Sequence, residues 1–144
     1  GIGNHDNMGG LFRNAAAFGA GAVLLDRTCC DPFYRKAIRV SVGAVLRTPM
    51  AAGLDAGAMI ELLAGRGFEV LALTPAADQA LAELKPARRT AILLGSEGPG
   101  LPEDIIARCR PVGVRMAGGF DSLNVAATSA VALHHVTTAQ LAQG

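Results

Sequence analysis

The sequence predicts an α/β fold, with a mostly parallel sheet covered by helices on both faces. Segments with strand-like hydrophobic periodicity alternate along the chain with segments of helical periodicity. The 144 residues are 51% hydrophobic and 17% charged, which suits one sizeable core and is too little charge for a disordered chain. No internal repeat or linker interrupts the sequence, so residues 1–144 are expected to form a single domain.

Four elements are predicted in the first third of the chain. Asn7 is a good N-cap for an amphipathic helix over 8–18, which the glycines after it end. The short apolar run 22–25 predicts a strand. An Asp-Pro pair, which places Pro at the first helical position, favours a helix over 33–42. The next short apolar run predicts a strand over 44–46.

The middle of the chain continues the alternation of helices and strands. A helix is predicted over 54–64, ended by two nearby glycines, and a strand over 68–73, stopped by a Thr-Pro pair. A weak helix follows over 78–84. The continuous apolar run 90–94 is typical of a parallel strand that is buried on both faces.

Three further elements complete the predicted fold. They are a short helix over 102–108, a strand over 111–114 and a long helix over 121–141. Strands that alternate with helices in this way pair in parallel. Ligands of such sheets bind at the carboxyl ends of the strands, and the unusual polar residues of this sequence cluster there.

Composition and charge exclude several classes of protein. The formal net charge is +1, so the chain is no basic nucleic-acid arm, and any nucleic acid would bind through a local patch, a partner subunit or a missing segment. The three cysteines have no CxxC spacing, which indicates neither a disulfide framework nor a zinc site, and they fit reduced thiols in the cytoplasm. No apolar run reaches the roughly 18 residues that span a membrane.

The first of three unusual segments, residues 7–15, carries Arg13 six positions after Asn7 in an otherwise apolar helix. A buried cation is costly unless it is paired or faces a site. Arg13 therefore either lines a functional site or extends to the surface along its apolar stem.

The second segment, residues 93–101, is a buried strand that ends in a glycine-rich turn with one carboxylate, Glu97. Three glycines in six residues let the backbone approach a ligand closely and expose its polar groups. The turn lacks the ending of a Walker A loop and is no clean GxGxxG motif. A plain strand-to-helix turn is the alternative explanation.

The third segment, residues 120–130, places Ser122 and Asn124 just after Asp121, where a helix begins. All three residue types are good N-caps, but one helix needs only one cap. The small residues over 125–132 allow the helix backbone to pack very close to another group.

The order and content of these segments resemble the SpoU (TrmH-like) family of RNA methyltransferases, within the SPOUT superfamily. Residues 7–15 are similar to motif 1, N-x-G-x-x-x-R-N-A. Residues 94–100 are similar to motif 2, L-G-x-E-G-x-G, and residues 122–133 to motif 3, S-L-N-V followed by seven residues and a Leu. The resemblance covers residues 7–135, and the order of the three motifs makes it specific.

The resemblance implies an α/β fold whose C-terminal part forms a deep trefoil knot, and a homodimer with the active site near its interface. It also implies transfer of a methyl group from S-adenosylmethionine to a ribose 2′-hydroxyl of tRNA or rRNA, with S-adenosylhomocysteine as the product. Family members normally have a strand just before motif 1, and many carry an N-terminal RNA-binding extension. This sequence begins almost at motif 1, so it is expected to be a fragment or to leave substrate recognition to another part.

Carried over by position, the resemblance assigns residues to two parts of an active site. The residues implied for the reaction centre are Asn7, Arg13, Glu97, Ser122 and Asn124. The residues implied for S-adenosylmethionine are Thr74, Leu94, Gly95, Ser96, Gly98, Val114, Met116, Leu123 and Asn124. Because a guanidinium is a poor base in water, Arg13 is interpreted as a donor that stabilises the developing alkoxide.

The residues expected to bind RNA are Arg13 and a basic cluster of Arg35, Lys36 and Arg39 on one predicted helix. Arg35 and Arg39 are four positions apart and share a face, which suits either phosphate contacts or a merely solvated surface. Two other functions remain as alternatives: a non-catalytic SPOUT-like dimerising module that binds nucleotide or RNA, and a doubly wound nucleotide-binding enzyme. The full set of motif residues argues against the module, and the missing GxGxxG argues against the enzyme.

Overall fold

The computed structural model of the chain describes residues 1–120 and 122–144. This described part contains five α-helices and five strands, which alternate except that the third and fourth strands have no α-helix between them. In chain order they are α1 (His5–Ala17), β1 (Val23–Asp26), α2 (Arg35–Val40), β2 (Met50–Leu54), α3 (Ala56–Gly65), β3 (Glu69–Leu73), β4 (Thr90–Leu93), α4 (Glu103–Ile106), β5 (Arg110–Val112) and α5 (Val125–Gln143). Two 3₁₀ turns lie at Ala44–Leu46 and Leu81–Glu83.

All strand pairs are parallel, which confirms the predicted α/β architecture. β1 pairs with β2, and β3 lies between β4 and β5. Leu71 of β3 lies opposite Ile92 of β4 on one side and Arg110 of β5 on the other. The sequence predicted one sheet, but the described strands form two. No hydrogen-bonded pair joins the β1–β2 sheet to the sheet of β3, β4 and β5. The trefoil knot stays a prediction.

The predicted strand over 44–46 is wrong. This segment is a 3₁₀ turn, which begins after Gly43 with its φ of 79° and is held by a hydrogen bond from the Val45 N–H to the Ser41 hydroxyl (3.3 Å). The strand that follows is β2, whose Ala- and Gly-rich sequence carries little strand propensity of its own. β2 forms because it pairs with β1 over Val23–Asp26, and a single-sequence pattern contains no sign of that pairing.

Two helix starts also differ from the prediction. Asn4, not Asn7, caps α1, and its side chain accepts the Asn7 N–H at 3.0 Å. Asn7 lies inside the first turn of α1, so its side chain is free for other partners. α2 begins after Tyr34 rather than at the Asp-Pro pair, and it is only six residues long.

Three further predicted helices are shorter than expected, among them α4, which covers only four residues of the predicted 102–108. The weak helix over 78–84 is only the 3₁₀ turn at Leu81–Glu83. α5 begins at Val125 and is capped by Asn124, whose side-chain oxygen accepts two backbone N–H groups. Ser122 is not helical, and Asp121 lies outside the described residues.

Two apolar clusters make up the core. The first packs α1 and α2 against β1 and includes the fully buried Met8 and Phe12. The second packs β3 and β5 against α5 and includes the fully buried Leu71 and Val112. Burial of one such side chain contributes about 1.5–3 kcal/mol. α5 contributes Val125 to the first cluster and other residues to the second, so it fixes α1 relative to the larger sheet.

Candidate active site

Hydrogen bonds join the three motif segments at one place. The Asn7 side chain, only 7% exposed, donates from Nδ2 to Glu97 Oε1 at 2.6 Å. Asn124 donates from its own Nδ2 to Asn7 Oδ1 at 3.0 Å. The first turn of α1, the loop after β4 and the start of α5 are therefore connected through side chains 90 and 117 positions apart in sequence.

The groups at the two ends of this series of hydrogen bonds determine which side-chain atoms donate and which accept. At one end the N–H groups of Ala126 and Ala127, which can only donate, bind Asn124 Oδ1 at 2.9 and 3.1 Å. At the other end Glu97 supplies a carboxylate, which only accepts when it is ionised. Each asparagine must therefore accept on the side of α5 and donate toward Glu97. Hydrogen bonds aligned in this way polarise one another and hold the three segments in one arrangement.

A second polar contact, which sequence reasoning did not assign, joins α1 to α5. Asn14 donates from Nδ2 to the Ala126 carbonyl at 2.8 Å and to the Ser129 hydroxyl at 2.9 Å. The two helices come this close because Gly10 has no side chain, and a Cβ there would lie 2.9 Å from that of Ala126. The available signals were an Asn in an apolar helix and a Ser among small residues.

Arg13 and Ser122 are placed differently from the other three reaction-centre residues. Both are exposed, as Glu97 and Asn124 also are, but over residues 1–120 and 122–144 the structure records no hydrogen bond or salt bridge for the side chain of Arg13 or Ser122. Arg13 extends from α1 into solvent, so an anion could approach its guanidinium. Ser122 does not cap α5, since Asn124 does.

The loop after β4 depends on its glycines. A Cβ on Gly95 would lie 2.5 Å from both the Gly100 carbonyl carbon and the Leu101 nitrogen. The Gly100 N–H donates to the Ser96 carbonyl at 3.1 Å, which closes the loop on itself. Gly98 and Gly100 have φ values of 84° and 68°, where other L-residues are strained. Motif 2 is thus a compact turn whose backbone conformation needs glycine.

The loops after β3, β4 and β5 contain the predicted cofactor residues. The Thr74 N–H donates to the Val112 carbonyl at 3.0 Å, and a Cβ on Gly113 would lie 2.9 Å from the Thr74 carbonyl oxygen, so these two loops touch. Leu123 is 46% exposed. Exposed backbone groups beside partly buried apolar side chains suit a ligand with both polar and apolar parts. The half-buried apolar side chains are Leu94, Val114 and Met116.

Two clefts open on the surface of the described chain. One, of about 560 Å³, runs along α5 between Leu81 and His134, and Val114 is the single predicted cofactor residue in its lining. The other, of about 530 Å³, is lined by the basic residues of α2 and by the aromatic pair Phe33 and Tyr34. Sequence reasoning included the basic residues of the second cleft and missed its aromatic residues.

The described parts of the chain contain neither a cluster of metal-binding side chains nor a helix that could span a membrane. No three His, Cys, Asp or Glu side chains of residues 1–120 and 122–144 lie close enough together to bind a metal ion. Each helix of the described chain is too short or too polar to cross a membrane.

Comparison with known proteins gives consistent matches. The family described as the SpoU rRNA Methylase family matches residues 1–134. An uncharacterized tRNA/rRNA methyltransferase of Mycobacterium bovis is 40% identical to the chain, over 95% of this chain and 49% of the relative. The chain therefore spans about half the length of the curated relatives that it matches.

Two solved structures share the fold over nearly the whole chain. An AdoMet-bound rRNA methyltransferase from Sinorhizobium meliloti is 26% identical, with a TM-score of 0.86 over 93% of this chain and 52% of that chain. A structure described as giving insights into the 2-OH methylation of C/U34 on tRNA is 27% identical, with a TM-score of 0.88 over 99% of this chain and 93% of that chain.

Proposed function

Because the chain belongs to the SpoU rRNA methylase family, we propose that it transfers a methyl group from S-adenosylmethionine to a ribose 2′-hydroxyl of tRNA or rRNA. The family match agrees with the resemblance seen in the three motifs. One observation carries the proposal: the hydrogen-bonded chain of Asn7, Glu97 and Asn124 brings all three motifs to a single site. The 2′-hydroxyl specificity draws support from the similarity to the structure that is described as giving insights into 2-OH methylation on tRNA.

The loops after β3, β4 and β5 fit S-adenosylmethionine. The closed turn at Gly95 leaves backbone N–H and C=O groups accessible, and Leu94, Val114 and Met116 supply apolar surface for an adenine ring. When bound, S-adenosylmethionine supplies an electrophilic methyl carbon on a sulfonium. S-adenosylhomocysteine is then the product that must leave the same loops.

The reacting hydroxyl needs a fixed position and stabilisation of its negative charge. In the reaction a bond forms between the ribose oxygen and the methyl carbon, the carbon–sulfur bond breaks, and the hydroxyl loses its proton. Arg13 donates hydrogen bonds to the developing alkoxide, and a nearby phosphate or water accepts the proton. Asn7, Glu97 and Asn124 act as positioning residues, since they hold the loops that bind the two reactants.

The proposal extends to partners and location. RNA is the substrate partner, and two copies of the chain form a dimer. Exposed apolar side chains on α5, Val131 at 43% and Leu141 at 82%, support a contact between copies. The cytoplasm is the expected location, because free thiols such as Cys29 persist there and RNA is modified there.

Cofactor binding is tested by calorimetric titration of S-adenosylmethionine and S-adenosylhomocysteine into the purified chain. We expect saturable binding of both, and loss of that binding in Gly95→Ala, whose Cβ would collide with the loop backbone. Gly21→Ala is the matched control, because nothing lies within 4 Å of a Cβ there and its φ is ordinary. Absence of binding to the wild-type chain would remove the cofactor from the proposal.

Methyl transfer is tested with labelled S-adenosylmethionine and unmodified tRNA and rRNA transcripts. A 2′-O-methyl group protects the adjoining phosphodiester from alkali, whereas a base methyl group does not. We expect alkali-resistant labelled dinucleotides, and a loss of roughly 100-fold or more in kcat for Arg13→Gln with cofactor binding unchanged.

Label confined to bases would overturn the 2′-hydroxyl assignment. Binding of cofactor and RNA without transfer would favour the non-catalytic module, and an Arg13→Lys variant with near-normal turnover would contradict a specific guanidinium role.

A further inference from the structure

We propose that the cleft beside α2 binds an unpaired nucleotide next to the one that is methylated, with its base stacked on Phe33 and Tyr34 and its phosphate bound by Arg35 and Arg39. The inference rests on the proposed function and adds a recognition site to it. The cleft has a volume of about 530 Å³, which is large enough for a nucleotide.

Exposed aromatic rings are the first observation. Phe33 is 52% exposed and Tyr34 is 55% exposed, and they are adjacent in sequence at the mouth of the cleft. Large aromatic side chains are usually buried or bonded to a partner, so two exposed neighbours indicate a binding surface. The Phe33 N–H donates to Asp31 Oδ1 at 2.9 Å, and this turn fixes the position from which the ring projects.

The charges around the rings suit a nucleotide. Arg35 and Arg39 share one face of α2 and line the cleft together with the aromatic pair. Lys36 is engaged elsewhere, because its ammonium lies 3.1 Å from the Asp6 carboxylate. Phosphate binding is therefore assigned to the two arginines, whose planar guanidinium groups match phosphate oxygens. Asp31 is the acidic residue in the cleft lining, and its side chain accepts the N–H of its own turn.

Three consecutive residues of α1 connect the cleft to the reaction centre. His5 stacks on Tyr34, with ring centroids 4.3 Å apart and planes inclined by 33°. Asp6 pairs with Lys36, and Asn7 binds Glu97 and Asn124. Since successive residues of a helix rise by about 1.5 Å, the cleft lies at the same end of α1 as the hydrogen-bonded cluster of Asn7, Glu97 and Asn124, and Arg13 lies about 9 Å further along the helix. This separation suits a nucleotide in the cleft that adjoins, in the same RNA strand, the nucleotide whose ribose is held at Arg13.

The chemistry of the cleft favours single-stranded RNA over other partners. Bases can stack on aromatic side chains only when they are unpaired, and such stacking tolerates any base. An apolar protein surface could cover the aromatic pair, but it would offer no anion to the two arginines that lie beside the rings. A duplex would present phosphates to the arginines and leave the rings unused.

The composition of the chain provides a direct probe of this cleft. The sequence has no Trp and a single Tyr, so fluorescence excited at wavelengths that phenylalanine does not absorb comes from Tyr34. Titration with single-stranded oligouridylate, corrected for absorbance, should quench this emission saturably, and an RNA duplex of equal length should not. Failure of the single strand to quench Tyr34, or equal quenching by the duplex, would overturn the inference.

Variants separate stacking from charge. Phe33→Ala should weaken oligouridylate binding by at least about fivefold, whereas Leu62→Ala, which removes an exposed side chain from α3, should leave it unchanged. The affinity for oligouridylate falls as salt rises. Arg35→Gln and Arg39→Gln should each make the slope of log affinity against log salt shallower by about 0.7, and Arg66→Gln should leave the slope unchanged. Circular dichroism of each variant confirms that it is folded. Equal effects of target and control variants would contradict the assigned cleft.

The two proposals can fail separately. Calorimetry of S-adenosylmethionine without RNA tests the cofactor site alone, and the Phe33 and Arg39 variants should retain it. Cofactor binding without quenching of Tyr34 would overturn the cleft and leave the methyltransferase proposal standing. Quenching without cofactor binding would support the cleft and count against the proposed reaction. Quenching that rises with protein concentration in the absence of RNA would identify a contact between copies and overturn the cleft.

Discussion

The Asn7 side chain has partners that its position in the sequence does not predict. In sequence it is a good N-cap, but the cap of α1 is Asn4, and this leaves the Asn7 amide free to link Glu97 with Asn124. The link requires a donor and an acceptor on one small side chain, and asparagine supplies both. Aspartate has the same shape with two acceptors, so it offers a test of this requirement.

Replacement of Asn7 by aspartate should destabilise the protein by about 1–3 kcal/mol, because two carboxylates would then face each other across the former 2.6 Å hydrogen bond. Glu97→Gln alone should cost much less, since the Gln carbonyl can still accept from Asn7. In the double variant N7D/E97Q the Gln amide can donate to the new carboxylate, so stability should recover. Urea unfolding of the wild type, the two single variants and the double variant measures these differences in the free energy of unfolding. A double variant no more stable than N7D would contradict the assigned hydrogen-bond direction.

Helix packing gives glycine a role that periodicity does not reveal. Gly9 lies inside α1, where glycine normally costs stability relative to alanine. A Cβ there would lie 2.7 Å from the Ala37 carbonyl oxygen and 2.8 Å from the Val40 Cβ, so its absence is what allows α1 and α2 to touch. Gly65, at the end of α3, has nothing within 4 Å of a Cβ and has no such role.

The two glycines should therefore respond oppositely to the same substitution. Gly9→Ala should destabilise the protein by about 1–2 kcal/mol, because the overpacking cost exceeds the gain in helix propensity. Gly65→Ala should stabilise it by up to about 1 kcal/mol. Thermal or urea unfolding under identical conditions measures both. A stabilised Gly9→Ala variant would show that α1 and α2 can move apart at little cost.

At the scale of the whole molecule, α5 joins the two halves of the core. Val125 packs with the α1, α2 and β1 cluster, whereas Ala132 and Val136 pack with the larger sheet. Asn14 and Asn124 add hydrogen bonds between α1 and α5. The two sheets are not paired to each other in the described chain, so their relative position depends on this helix.

Unfolding should therefore be a single cooperative transition. Emission from Tyr34 reports on the first half of the chain, whereas far-ultraviolet circular dichroism reports on all helices. We expect the two urea transitions to coincide, because neither cluster keeps its packing when α5 leaves. Val136→Ala, which removes two buried methyl groups from the second cluster, should shift both transitions equally. A Tyr34 transition at lower urea would show that the first half unfolds independently.

Local chemistry explains which features the sequence determined by itself. Hydrophobic periodicity acts within a few residues, so the general alternation of strands and helices, the existence of the long last helix and the three motifs were readable without a structure. The remaining features depend on contacts between distant segments. β2 exists through its pairing with β1, Asn7 acts through residues 90 and 117 positions away, and His5 stacks on Tyr34 only because α1 lies beside α2. Only tertiary structure decides such contacts, because the energy that forms them belongs to pairs of segments and to neither segment alone.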